Sequence, residues 1–282
     1  MTDRLTTFRR GPYTFDVLDA GPPDGEPVVL LHGFPQRASS WDLVAPLLHD
    51  RGFRTIAPDQ RGYSPGARPT RRREYAQAEL VADVLAMLDA AGIGDAHIVG
   101  HDWGAAVAWT LAAHHPDRVK TLTALSVPHP GAFVQAMPRG QVLRSWYMLA
   151  FQIPALPEKA LGRLMTTRPD FGAQMGLPEP FASRVTTEIA EYGALPGALG
   201  WYRAMFIPDK RSAPRRVQVP TTYLWGDREI ALGRAGARLS SGWVDAPYEF
   251  LVLPGADHWL PEARPAEVAA AIVARIDAAG DR

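Results

Sequence analysis

Hydrophobic residues form two kinds of pattern along this chain. The run PVVLLHG is continuously apolar and ends at a glycine turn, which is typical of a strand buried on both faces. Further strands are predicted at FRTIAPD, AHIVGH and VKTLTALSVP, and YTFDVLDAG alternates like a half-buried edge strand. Between them SWDLVAPLLHDRG, EYAQAELVADVLAMLDAAG and GAAVAWTLAAHHP have helical spacing. Strands therefore alternate with helices, which predicts a parallel sheet.

The alternation is interrupted once and then resumes. After residue 218 the strands VPTTYLWG and YEFLVLPGA alternate with the helices LGRAGARLSSG and RPAEVAAAIVARIDAAG. In the interruption before residue 218, the sequence contains helical patterns with Pro and Gly breaks and no strand signal. We therefore predict an α/β fold with a mostly parallel central sheet flanked by helices. Its core comprises residues 1–130 and 215–282, and residues 131–214 form an inserted helical cap.

Composition restricts the classes of function. The 282 residues are 46% hydrophobic, and 30 basic residues balance 30 acidic ones. Zero net charge gives no reason to expect nucleic acid or a membrane as partner. Cysteine is absent, which excludes disulfides, thiolate metal sites and cysteine nucleophiles. The N-terminus lacks the apolar segment of a secretory signal, and no apolar run is long enough to span a bilayer, so we expect a cytoplasmic protein.

The stretch HIVGHDWGAAVAW predicts a sharp strand-to-helix turn with an acidic residue at its centre. Gly100-His101-Asp102-Trp103-Gly104 fits the nucleophile elbow Gly-x-Nuc-x-Gly. In such a turn the glycines avoid collisions with neighbouring elements, and the central side chain projects above the C-terminal edge of the sheet. Asp102 would then be a nucleophile in a position often taken by serine. The alternative is an ordinary turn in which Asp102 caps a helix.

Three further elements stand in the order that a hydrolase requires. HGFPQ follows a buried strand and could aim the Phe34 amide, together with that of Trp103, at an oxyanion. WGDREIALG follows a later strand and offers Asp227 or Glu229 to hold a histidine. In PGADHWLPE, His258 completes the order nucleophile, acid, histidine. Individually, each element is also compatible with a structural turn or a structural histidine.

Together HGFP, GHDWGA, WGDREIALG and GADHW resemble the epoxide hydrolase branch of the α/β-hydrolase fold, which is related to the haloalkane dehalogenases. The resemblance covers essentially the whole chain, including the cap. One position departs from it: the family usually has Asp three residues after the glycine of the acid loop, where this chain has Glu229. Glutamate can also orient His258. Glu229 is therefore our first candidate for the acid, and Asp227 is the second.

Two cap motifs narrow the resemblance. Epoxide hydrolases of this kind place two cap tyrosines over the nucleophile, one in a Tyr-x-x-x-Phe-Gln-x-Pro context and one in a Trp-Tyr-Arg context. YMLAFQIP supplies Tyr147 and GWYRAMF supplies Tyr202. Considered alone, each is an amphipathic aromatic residue at an interface between cap and core. The resemblance implies that both donate protons to the epoxide oxygen.

The implied reaction explains why the nucleophile is an aspartate. A carboxylate is ionised at pH 7 and needs no base before it attacks an epoxide carbon. The resulting ester on Asp102 would be hydrolysed by water that His258 activates, giving a vicinal diol. No metal or organic cofactor is expected, and the expected partner is a small apolar epoxide. A homodimer is left open.

Two other functions use the same scaffold. A dehalogenase shares the Asp, His and acid but needs N–H donors for a halide, for which Trp103, Trp146 or Trp201 is available. A ligand receptor without activity would usually have lost part of the triad, whereas every role here has an occupant. His129 either faces the cavity or caps a turn. The predicted substrate-binding residues are Pro35, His129, Trp146, Phe151, Trp201 and Trp259.

Overall fold

In the computed structural model, which describes residues 4–280, eight strands form a single sheet. Their order across the sheet is β1-β2-β4-β3-β5-β6-β7-β8, and all neighbours are parallel except for the pairs that involve β2. The predicted α/β-hydrolase sheet is thereby confirmed. The strands are β1 Thr7–Arg10, β2 Tyr13–Ala20, β3 Glu26–Leu31, β4 Phe53–Pro58, β5 Ala96–His101, β6 Val119–Leu125, β7 Thr221–Gly226 and β8 Tyr248–Leu253.

Thirteen α-helices flank or extend this sheet within the described residues, together with short 3₁₀ turns and a π-helical turn at Thr186–Glu191. No helix there is both long and apolar enough to cross a bilayer. The α-helices are α1 Ala45–His49, α2 Gln77–Ala90, α3 Trp103–His114, α4 Pro130–Ala136, α5 Gln141–Arg144, α6 Trp146–Ala150, α7 Leu156–Thr167, α8 Phe171–Gln174, α9 Phe181–Val185, α10 Leu195–Ala204, α11 Arg234–Leu239, α12 Leu260–Ala263 and α13 Pro265–Gly280.

The apolar run of β3 is buried on both faces of the sheet. Val29 and Leu31 belong to the core on one face, and Val28 and Leu30 belong to the core on the other. All four side chains are fully buried. Because successive residues of a strand point to opposite faces, only a continuous apolar run satisfies both layers.

The prediction that YTFDVLDAG lies at the edge of the sheet is wrong. Its strand, β2, pairs with β4 on one side and with β1 on the other, so the short strand β1 forms the edge. The two strands form a tight hairpin in which Phe8 stacks on Phe15 with 4.6 Å between ring centroids. The sequence did not predict β1 because four residues contain too little alternation to give a strand signal.

The sheet changes its direction of winding beside β3. This strand pairs with β4 on one side and with β5, the next parallel strand along the chain, on the other. The loops at the C-terminal ends of β3 and β5 therefore diverge and leave a crevice, which is where open α/β sheets bind ligands. HGFPQ follows β3, and Asp102 follows β5.

The chain between β6 and β7 is helical, and it holds α4 to α10. Pro and Gly residues separate these helices from one another, as at Pro154 before α7 and Gly176 after α8. These helices overlie the crevice, and the Trp201 indole donates a hydrogen bond to the Arg61 carbonyl of the core at 2.7 Å. The division of the chain into core and cap stays a prediction.

Candidate active site

The turn after β5 holds Asp102 in a strained backbone conformation. Its φ of 52° and ψ of −121° lie outside the regions that non-glycine residues normally adopt. A Cβ atom on Gly104 would collide with the carbonyl oxygen of Leu31, so β3 and the start of α3 can approach this closely only with glycine. The strain and the close packing fix the Asp102 side chain at the mouth of the crevice.

Asp102, His258 and Glu229 form a hydrogen-bonded line across three loops. The Nδ1 atom of His258 lies 2.6 Å from Oε2 of Glu229, and its Nε2 atom lies 3.4 Å from Oδ2 of Asp102. The Glu229 side chain is fully buried. This is the arrangement of a nucleophile, a base and the acid that orients the base.

Of the two acid candidates, the structure brings Glu229 to His258. Its other oxygen, Oε1, accepts hydrogen bonds from the amides of Ala231 at 2.7 Å and Leu232 at 3.2 Å. Asp227 is exposed and instead accepts a hydrogen bond from the Gly255 amide. The loop places the third residue after Gly226 inside the crevice and the first residue outside it.

Attraction between opposite charges determines the protonation states of Asp102, His258 and Glu229. Burial works to lower the pKa of His258, but the carboxylates of Glu229 and Asp102 outweigh it and hold that pKa well above its ordinary value. Burial works to raise the pKa of Asp102 and of Glu229, yet the interaction with His258 keeps both below their ordinary values. The free site thus favours two carboxylates around one imidazolium.

One of the two predicted oxyanion donors hydrogen-bonds to the nucleophile. The Phe34 amide donates to Oδ1 of Asp102 at 2.8 Å. The Trp103 amide opens α3 directly after Asp102, but no hydrogen bond from it to this carboxylate occurs among the described residues. Consequently Oδ1 is held by the loop after β3, and Oδ2 faces His258.

The two cap tyrosines lie together above the nucleophile. Tyr147 and Tyr202 have ring centroids 6.1 Å apart. Tyr202 packs edge-on against Phe34 at 5.6 Å and Trp103 at 5.0 Å. Burial, with a further contribution from Asp102, raises the pKa of both phenols, so both keep their protons through neutral pH.

Three of the predicted substrate-binding residues lie in or beside this aromatic group. Phe151 packs against Tyr147 at 5.6 Å and Tyr202 at 5.0 Å. Trp201 lies edge-on to Trp103 at 5.9 Å. Trp259 packs against the His258 ring at 4.9 Å, while its indole donates to the Met175 carbonyl in the cap. These apolar rings line the space beside Asp102, whose side chain is only 13% exposed.

The structure does not bring the other three predicted substrate-binding residues to the aromatic group. Trp146 is 67% exposed on the outer surface of the cap. His129 caps α4, because its Nδ1 accepts the Gly131 amide and its Nε2 donates to the Arg215 carbonyl. Pro35 lines a small cavity beside Phe181. The prediction placed these side chains by their distance along the chain from the motifs, which does not fix the direction in which they point.

Several residues that support the site were not predicted. His101 and Ser126 both donate hydrogen bonds to the His258 carbonyl, at 2.8 and 2.7 Å, and so fix the loop of the base. His32 accepts a hydrogen bond from the Gln60 amide at 3.0 Å and ties the loop after β3 to the end of β4. Burial lowers the pKa of His32 and His101 to about 4, so both are neutral at pH 7. His32 lies in the motif HGFP and His101 lies in GHDWGA, and membership of these motifs was the only sign in the sequence that they support the site.

No cluster of three or more His, Cys, Asp or Glu side chains suited to a metal ion occurs among residues 4–280.

Comparison with known proteins identifies the group to which this geometry is related. The family model of the α/β-hydrolase fold matches residues 26–265. Epoxide hydrolase A of Mycobacterium tuberculosis is 32% identical, over 91% of this chain and 92% of that protein. The AB hydrolase superfamily protein YfhM of Bacillus subtilis is 33% identical, over 90% and 91%. The crystal structure of epoxide hydrolase A from Mycobacterium thermoresistibile superimposes with a TM-score of 0.81 at 30% identity, covering 96% of this chain and 97% of that one.

Proposed function

This chain belongs to the epoxide hydrolase branch of the α/β-hydrolase family, and we propose on that basis that it converts an epoxide to a vicinal diol through an ester on Asp102. The observation that carries the proposal is the line Asp102–His258–Glu229, with two protonated phenols near the nucleophile. Such a site can attack carbon from one side and protonate oxygen from the other.

In the first step the free oxygen of the carboxylate attacks. Oδ1 of Asp102 is held by the Phe34 amide, so Oδ2 is the oxygen available to an epoxide carbon. A carbon–Oδ2 bond forms as the ring carbon–oxygen bond breaks. The ring oxygen, which gains negative charge, takes a proton from Tyr147 or Tyr202. Without these donors the ring oxygen would leave as an unprotonated alkoxide, which is a poor leaving group.

The loss of the Asp102 charge then prepares the second step. Esterification neutralises one of the two carboxylates that raise the pKa of His258, so this pKa falls and the imidazole becomes available as a base. His258 takes a proton from water, and the hydroxide adds to the ester carbon. The oxyanion forms on Oδ1, which already receives the Phe34 amide. Cleavage of the bond between Cγ and Oδ2 of Asp102 releases the diol, which keeps Oδ2 and takes a proton from the His258 imidazolium, and the oxygen from water stays in Asp102.

A single turnover in ¹⁸O-labelled water tests this sequence of events. We expect ¹⁸O in the tryptic peptide that contains Asp102 and unlabelled oxygen in the first diol. In the His258→Gln variant, intact-mass spectrometry should detect an adduct with the mass of the epoxide. The His114→Gln variant is the control, because that side chain hydrogen-bonds to Ala213 outside the site. Label in the first diol, with none in the protein, would overturn the ester mechanism.

The structure offers little support for a dehalogenase. The Trp201 indole already donates to the Arg61 carbonyl, and Trp146 faces outward. Of the three candidate halide donors, only the Trp103 indole therefore remains for a halide leaving group. Two protonated phenols instead match the requirement of an epoxide oxygen.

A further inference from the structure

An unusual number of large apolar side chains are exposed on one part of the cap. Thirteen such side chains are exposed among residues 4–280, and nine of them belong to the cap or to the adjoining acid loop. Six lie on a single short segment, residues 142–156. We call them the outer face: Val142, Leu143, Trp146, Leu149, Ile153 and Leu156, which are between 48% and 78% exposed.

The helices of this segment are apolar on their outer side as well as on their inner side. Helices α5 and α6 continue into one another, because the Ser145 amide bonds to the Gln141 carbonyl and the Met148 amide bonds to the Ser145 carbonyl. Met148 and Phe151 point inward together with Gln141 and Ser145, and the outer face is aliphatic and aromatic too. A surface helix normally shows apolar residues to the core and polar residues to water.

The inward polar side chains are fully used in holding the segment to the protein. Gln141 donates to the Ala231 carbonyl at 2.7 Å and accepts the Gly233 amide at 2.9 Å. Gln152 donates to the Tyr202 carbonyl at 2.8 Å. The segment cannot therefore rotate to bury its apolar side without breaking these bonds. The exposure of the outer face is a consequence of the fold.

The exposed apolar area of the outer face approaches the area that one partner contributes to a protein–protein interface. Its six side chains together expose on the order of 600 Å² of apolar surface. The largest patch on a monomer is typically about 300–600 Å², and a stable interface covers about 800 Å² of each partner. Ile230 lies beside the segment, since the Arg144 guanidinium bonds to its carbonyl, and it adds a side chain that is 72% exposed.

We propose that a second copy of this chain covers the outer face, so that two caps meet across a two-fold axis. In such an interface the same surface contacts itself, and a purely apolar surface is complementary to itself. Within residues 142–156 the only charged side chain is Arg144, whose guanidinium already bonds to the carbonyls of Glu229 and Ile230. Pairing two copies would therefore bring only one charged side chain per copy to the interface, and it is a guanidinium that is already hydrogen-bonded.

The small number of basic residues near the outer face argues against a lipid membrane as its partner. An interfacial helix usually has many basic residues beside its apolar face. Here Arg139 and Arg144 are the only charged residues between Gly131 and Pro157, and the net charge of the chain is zero. Electrostatic attraction to anionic lipid is accordingly small. This inference concerns association alone and does not depend on the reaction.

Because the chain has no cysteine, single cysteines can map the interface directly. We would prepare Leu143→Cys and Leu149→Cys and treat each with a flexible bis-maleimide at micromolar protein concentration. Leu18→Cys is the matched control, since Leu18 is a comparably exposed leucine, at 53%, on strand β2 of the core. We expect a covalent dimer from the two cap variants and none from the control.

Sedimentation equilibrium provides a second, independent measurement. The wild-type chain should sediment with twice its mass of 30.8 kDa. Leu143→Asp should raise the dissociation constant at least tenfold, and Leu18→Asp should leave it unchanged. Circular dichroism checks that each variant is folded. A monomeric wild type, or a dimer that Leu143→Asp leaves intact, would overturn the proposal, as would wild type that stays monomeric and floats with phosphatidylglycerol vesicles.

Discussion

Replacing Glu229 by glutamine tests how the acid of the triad acts on His258. Glutamine has nearly the same shape, but one of its two terminal atoms is a donor. The amides of Ala231 and Leu232 both donate to Oε1, so the glutamine oxygen must occupy that position. Its NH₂ group then points at Nδ1 of His258, 2.6 Å away in the native site. Nδ1 must accept this hydrogen bond and gives up its proton.

The expected loss has two parts. A neutral His258 that is unprotonated at Nδ1 holds its proton on Nε2, the atom that faces Asp102, where it cannot act as a base. The imidazolium that forms during hydrolysis also loses its buried carboxylate. Removal of one partner from a buried charge pair costs about 3–5 kcal/mol, which corresponds to roughly a 10²- to 10⁴-fold slower step. Attack by Asp102 needs no base and should slow far less.

Rapid-quench kinetics with intact-mass detection separates the two steps. In Glu229→Gln we expect the alkyl ester to form quickly and to accumulate, because its hydrolysis has become rate-limiting. Asp227→Asn is the matched control: within residues 4–280 this nearby carboxylate bonds only to the Gly255 amide, and its removal should leave ester hydrolysis almost unchanged. Equal losses in the two variants, or loss in Asp227→Asn alone, would refute our assignment of the acid.

Two further changes give separate expectations. Tyr147→Phe and Tyr202→Phe should each slow ester formation, and the double variant should slow it by about 10²- to 10⁴-fold without affecting hydrolysis of an ester already formed; a slower hydrolysis step in rapid-quench traces contradicts the donor role. Burial raises the pKa of Glu262 to about 8 from an ordinary value of 4.5, so its contribution to the free energy of unfolding falls as the pH rises between those values. Glu262→Gln should therefore raise the melting temperature at pH 8 and leave it unchanged at pH 4, and an equal shift at both pH values would contradict this account.

Local patterns in the sequence were sufficient for most of the fold and for the order of the catalytic motifs. The strands and the nucleophile elbow are encoded by residues that are close together in the sequence. The strands follow from the spacing of apolar residues, and the elbow follows from the glycines that a tight turn requires. The run that contains β3 is fully buried as its pattern predicts. The nucleophile and the base belong to motifs of this local kind.

Tertiary packing decided what local patterns leave open. Asp227 and Glu229 are two residues apart in one loop, and only the packing of that loop against His258 distinguishes them. The segment LRSWYMLAFQI is apolar at most positions, so its period could not reveal that Tyr147 points inward while Trp146 points to solvent. The direction of each side chain there follows from hydrogen bonds to residues about 90 positions away, such as those of Gln141 to Ala231 and Gly233. Contacts at that separation depend on the whole folded chain, and no short stretch of sequence encodes them.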